Sequence, residues 1–317
     1  MRLLASALAF LALTSAAPPD VNDAAITGDA LPPKLSDFRF FKGGKPNERV
    51  RPYTLATPLF SDYAAKDRFI YVPAGAQARY LGDGLIEFPV GSALIKTFSY
   101  PGQVLETRVM LKRASGWVAL PYVSEGGDAV LKRGGKRIEV TAAGRTVSYA
   151  VPNQNQCKEC HQANGGIEPI GPKARNLGGT QLQGLVKAGL LDRAPAGYAV
   201  PRWNDPQQPL QARARAYLDI NCAHCHSREG IANNSGLYLS WDETDPVARG
   251  VGKRPVAAGR GSGGLEVAIA PGAPDQSILL HRMRSTEPGV AMPELGRSLV
   301  HEEGVALVRE YIAQMRP

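Results

Sequence analysis

Two copies of one five-residue pattern constrain this chain more than anything else in it: Cys157-Lys158-Glu159-Cys160-His161 and Cys222-Ala223-His224-Cys225-His226. Thiols three residues apart lie about one helical turn from each other, so both can bond one edge of a porphyrin through its vinyl groups, and the following histidine can ligate the iron. A lone CxxC would equally suit a redox disulfide or half a zinc site. Here all 4 cysteines fall into two such pairs, each followed at once by His. A zinc site of four thiolates has no use for those histidines. The expectation is two covalently attached haem c groups, one on Cys157, Cys160 and His161, the other on Cys222, Cys225 and His226. The 34 Gly and 25 Pro against only 8 Phe suit a loop-rich fold whose core is filled partly by cofactors.

The N-terminus reads Met1-Arg2, an apolar run over residues 3–13, then Thr14-Ser15-Ala16-Ala17-Pro18. Those are the charged, hydrophobic and small-residue regions of a secretory signal, residues 1–16, with cleavage expected after Ala16. The run is too short to span a bilayer and no later stretch is longer, so no stable membrane anchor is expected after cleavage; the alternative is an uncleaved anchor. The 37 Lys+Arg exceed the 29 Asp+Glu, for a net charge of +8. Basic clusters at Lys132-Arg133, Lys136-Arg137 and Lys253-Arg254 are either solvated loops or a field that steers an acidic redox partner. Nothing reads as a nucleic-acid binder, and the expected partners are redox proteins.

Taken in order, residues 17–34 lack periodicity and are expected to form a mobile leader. Residues 35–151 show short aromatic and β-branched runs at 68–72, 84–88, 93–100, 105–112, 117–123, 137–141 and 146–151, separated by turn chemistry such as Gly82-Asp83-Gly84 and Gly126-Gly127-Asp128. That is a β-rich domain of antiparallel hairpins, which runs straight into Cys157. Residues 152–208 form the first haem segment, with one helix expected over 180–190. Residues 209–317 form the second, with helices expected before Asn221, over 276–284 and over 302–315. The fold class expected is α+β and multidomain: an N-terminal antiparallel β domain followed by a mainly α dihaem region.

The last third has the order helix, CxxCH, loop, Met292-Pro293, closing helix, and in this it resembles the small monohaem cytochrome c fold. The chain as a whole resembles periplasmic dihaem c-type cytochromes with an N-terminal β domain. Those resemblances imply a periplasmic protein that carries single electrons between redox partners. They also imply His226 below and Met292 above the second iron, a pair that raises the potential relative to two histidines. Met283 is the rival ligand, but its helical spacing with Leu279 and Leu280 reads as core. Residues 242–264 are an insertion relative to the smallest such domains.

The first haem lacks a distal ligand in its own segment, because residues 162–221 contain no Met and no His. The candidates elsewhere are Met110, His224, His281, Met283, His301 and Met315, or the iron is open. His281 and His301 read as solvated, Met110 as core, and His224 as bonded to backbone or propionate. An open iron would suit a haem enzyme, a peroxidase or small-molecule oxidase, instead of a carrier. A β domain before a CxxCH segment also resembles the lysine-cross-linked green cytochromes that oxidise hydroxylamine. That likeness singles out Lys96, whose plain reading is a surface lysine.

Overall fold

The computed structural model describes residues 21–142, 144–195, 197 and 199–316. The expected signal peptide therefore lies outside the described residues. The centre of the molecule is a six-stranded antiparallel meander of β1 (Val50–Pro52), β2 (Ala65–Tyr71), β3 (Ala93–Tyr100), β4 (Gln103–Arg113), β5 (Gly116–Glu125) and β6 (Asp128–Leu131), each strand paired with the next. Alternation along the strands sends Tyr71, Ile95, Val109 and Leu120 into one core and Ile70, Leu94, Met110 and Ala119 into another. A separate hairpin, β7 (Lys136–Ala142) and β8 (Arg145–Val151), follows and leads directly into the first cysteine motif.

The first core is closed by the segment expected to be a mobile leader, and that expectation is corrected. Residues 21–34 carry a helix, α1 (Asp23–Thr27), whose Ile26 is fully buried. The Arg113 guanidinium donates to the carbonyls of Ile26, Asp29 and Ala30 at 3.1, 3.2 and 3.1 Å, and the Tyr122 hydroxyl donates to the Pro32 carbonyl at 2.9 Å. Burial of Ile26 and these bonds to otherwise unpaired carbonyls hold the segment against the sheet.

The second core faces the cysteine motifs. It is covered by α2 (Gln154–His161), α3 (Ala174–Leu177) and α4 (Gly179–Lys187), while α5 (Leu210–Asn221), α6 (Ile278–Arg284) and α7 (Glu302–Ala313) pack into a cluster of their own. The fold class expected from the sequence is overturned at this point, since the region after the β domain is not a mainly α, cytochrome c-like dihaem region. Among the described residues the α-helices are seven short segments, the longest of 12 residues, and the dominant element is the antiparallel sheet. Between α5 and α6 the chain makes turns, 3₁₀ segments and isolated β-bridges but no further α-helix. The cause is local: Gly250 and Gly252 sit at φ of 100° and 63°, and Pro246, Pro255 and Pro271 each withhold an N–H from any helix. The helical periods flanking this stretch do not extend across it.

Helices α5 and α7 cross with Tyr217, Leu218, Val308 and Ile312 in one cluster. Gly304 lies at the crossing, where a Cβ would meet the Tyr217 hydroxyl and the His301 ring. A Gly304→Ala variant is expected to lose about 1–3 kcal/mol by overpacking, checked by urea unfolding against the parent.

Candidate functional site

Local chemistry sets the first motif on a helix. Asn153 caps α2, its side chain accepting from Gln156 N–H at 2.8 Å while the Gln156 side chain accepts from Asn153 N–H at 3.0 Å. Cys157 and Cys160 are thereby one turn apart on α2, with His161 at its end. The second motif forms its turn without a regular helix: Cys222 caps α5, and its carbonyl accepts from Cys225 N–H at 3.2 Å and His226 N–H at 2.9 Å.

Each motif borders its own cavity. The first, of about 110 Å³, is bounded by Cys157, Cys160 and His161 on α2 and by Lys96, Arg108 and Met110 on the sheet. Phe60, Tyr217 and His301 complete another side of it. The second, of about 330 Å³, is bounded by Cys222, Cys225 and His226, with Leu237, Leu279 and Met283 behind them. Cys160, Cys222, His224 and Met292 border both cavities, so the two share a wall.

The histidines are tautomerically fixed. His161 Nδ1 lies 2.7 Å from the Glu168 carbonyl, which can only accept, so Nδ1 carries the proton and Nε2 keeps its lone pair. The Ser235 hydroxyl donates its single proton to the Ala232 carbonyl at 2.6 Å and must therefore accept from His226 Nδ1 at 3.3 Å. Nε2 of His226 is again free to ligate. Burial holds both rings down at about 4, so each is neutral at neutral pH. A ligating imidazole has this same state, its other nitrogen donating to a carbonyl or hydroxyl.

Burial pushes Cys157 up to about 11 and Cys222 and Cys225 up to about 12, so with nothing bound to them these thiols are protonated at neutral pH. None of the four cysteines is in a disulfide. Among the described residues no group of three or more His, Cys, Asp or Glu side chains is gathered to hold a metal ion.

Of the distal candidates for the first site, Met110 and His301 border the first cavity, while His224 and Met283 border both, as does Met292, the ligand expected for the second. His224 is buried, and burial pushes its ring down to about 3 while a backbone hydrogen bond to Ile220 works in the opposite direction. His301 is not solvated as expected: its ring stacks on Phe60 at 4.2 Å, and Nδ1 lies 3.0 Å from the Tyr217 hydroxyl. Met315 lies elsewhere, in a groove with Leu210 and Tyr311. Lys96, read as a surface lysine, is half-buried and borders the first cavity. One strand's alternation could place Lys96 on a face but could not show what covers that face.

No family model, no curated protein and no solved structure matches the chain. The identification with the dihaem c-type cytochromes is therefore withdrawn: nothing matched supports it, no metal-holding cluster is gathered among the described residues, and the body is β-rich where that resemblance implies helices. Among the described residues, no helix is long and apolar enough to cross a membrane.

Proposed function

We propose that the chain binds two haem groups covalently, one on Cys157 and Cys160 and one on Cys222 and Cys225, and passes single electrons between redox partners. The reading is made from the residues and not from any family. The observation that carries it is the pair of cavities with a common wall, each floored by two thiols one turn apart and by a neutral histidine whose Nδ1–H is already engaged. A haem brings four of its own iron ligands, so it needs no cluster of three protein donors, only an axial one or two. When bound, it supplies reversible one-electron chemistry at iron.

The chain's own residues orient and enclose. His161 and His226 are held by Glu168 and Ser235 with Nε2 free, and Leu237, Leu279 and Met283 keep the second cavity apolar. Met292 is the soft donor proposed above the second iron, its backbone fixed on both sides: its N–H donates to the Arg282 carbonyl at 3.0 Å, and Arg297 Nη2 donates to its carbonyl at 2.8 Å. Export to the periplasm belongs to the same proposal, as does an acidic partner for a chain with a pI near 9.3.

The test is an absorption and EPR spectrum of the purified exported protein, oxidised and reduced, with and without carbon monoxide. A carrier gives two low-spin irons, one with the methionine-to-iron charge-transfer band, and no response to carbon monoxide. Met292→Ala is expected to abolish that band while both haems stay attached. A protein isolated without haem sinks the proposal. One high-spin iron that binds carbon monoxide would instead make the first site a reaction centre.

A further inference from the structure

The sheet face that walls the first cavity is ordered in transverse rows by its register. Ile70, Leu94, Met110 and Ala119 stand opposite one another across four strands and pack into a single apolar cluster. The next row on the same face is Arg68, Lys96 and Arg108, three cations directly opposite one another on β2, β3 and β4. Lys66 adds a fourth, in the following row with Phe98 and Glu106. Like charges in direct opposition destabilise a sheet, and partial burial removes the solvent that would screen them.

Among the described residues the row is neutralised only in part, at Arg108. Glu106 is the carboxylate ion-paired on this face; it accepts from Arg108 Nε at 2.9 Å and Nη2 at 2.6 Å, and also from the Tyr149 hydroxyl at 2.6 Å. Arg68 is only 8% exposed; its Nη1 donates to the Lys66 carbonyl at 3.0 Å, and its Nη2 is buried without a partner. Lys96 Nζ lies 4.7 Å from the centre of the Phe98 ring; burial, and then the neighbouring Arg68, Lys66 and Arg108, push its pKa well below the ordinary lysine value, and an anion seated against it would favour the charged form. Lys96 and Arg108 border the first cavity, Arg108 with Nε and Nη2 already given to Glu106, and Arg68 stands behind them in the same row.

We propose that the row of Arg68, Lys96 and Arg108 is an oxyanion-binding platform, which takes a carboxylate or small inorganic oxyanion at the wall of the first cavity. The guanidinium fork and the ammonium point charge suit that class of ligand. The oxyanion has two possible sources, a porphyrin propionate or a diffusible anion. The first source rests on the haem reading above; the second does not.

The test uses the full exported chain as isolated, after mass spectrometry has counted its haems. Sodium nitrite and sodium acetate are titrated by calorimetry at low ionic strength into the parent, Arg68→Gln, Lys96→Gln, Lys96→Arg and the exposed control Lys187→Gln, with thermal melts to show that each variant folds. A diffusible ligand gives one anion per chain in the parent, roughly tenfold or more weaker binding in R68Q and K96Q, and near-parent binding in K96R and K187Q. If a propionate fills the platform, no added anion binds, but the potential of one haem shifts in R68Q and K96Q and not in K187Q. The proposal is overturned if folded R68Q and K96Q leave both anion affinity and potentials unchanged, or if K96Q alters only the iron's spin state. A chain without haem defeats the functional reading alone, because calorimetry on that chain still tests the platform.

Discussion

An Asp219→Asn variant is expected to lose about 3–5 kcal/mol of stability at neutral pH, the cost of leaving buried charge uncompensated. Asp219 sits on α5 with its side chain 2% exposed, and its Oδ1 accepts from Lys173 Nζ at 2.9 Å, Arg175 Nη2 at 3.0 Å and Trp241 N–H at 3.0 Å. One carboxylate thus ties the segment before α3, helix α5 and the loop beyond the second motif. Arg175 is itself only 4% exposed; its other acidic partner, Asp242, is largely solvated, and its Nη1 also donates to the Asp83 carbonyl at 3.4 Å. An amide at position 219 can still accept, but it leaves two buried cations facing each other. Burial alone would raise the Asp219 carboxyl, yet Lys173 and Arg175 together hold it below the usual carboxylate range. A depressed folded value means that its stabilisation is fully present above the unfolded value, near pH 3.9, and is lost as pH falls through the folded one. Urea unfolding should therefore show a parent–variant gap that is constant from about pH 5 upward and narrows only in stronger acid. A gap below about 1 kcal/mol at pH 7 would remove Asp219 from this role.

How far the sequence could be read depended on whether the controlling interactions were local. The two motifs were legible because the thiol spacing and the following histidine are fixed within five residues, and the Asn153–Gln156 cap that sets the first on a helix lies equally close. The strand runs were legible through alternation, as at residues 93–100. What covers a strand's face is a matter of tertiary packing, and so Lys96 read as solvated although α2 and the first cavity lie against its face. His301 misled for the same reason: its neighbours in sequence are Glu302 and Glu303, but Phe60 and Tyr217 reach it from far along the chain. The segment 21–34 has no periodicity of its own, and its order comes from Arg113 and Tyr122 on the sheet. The expected α-rich C-terminal region failed because α5 and α7 were read as a whole helical domain, while the glycines and prolines between them govern most of its length. Both cavities needed the structure, since their shared wall joins residues as distant as Cys160 and Met292.

Replacing Cys157 and Cys160 together by alanine is expected to remove one haem and leave the other, and replacing Cys222 and Cys225 together should remove the complementary one. Intact mass and the haem absorbance per chain are the measurements. The outcome is discriminating because the rival chemistry predicts another pattern. A single zinc ion held by all four sulfurs would be lost completely with either pair, whereas two thioether-linked cofactors are lost one at a time. Under the proposed ligation, in which Met292 serves the second haem although it borders both cavities, the methionine-to-iron band should survive in the first double variant and vanish in the second. The surviving haem should nevertheless report the missing one. Cys160 and His224 border both cavities, so emptying the first exchanges a cofactor edge for solvent beside the second and should shift its potential. Two haems lost together would mean that neither cavity forms without the other filled, and the sites would then have to be treated as one folding unit. No haem in the parent would leave the four thiols without a bonding partner, and the electron-carrier proposal would fall with it.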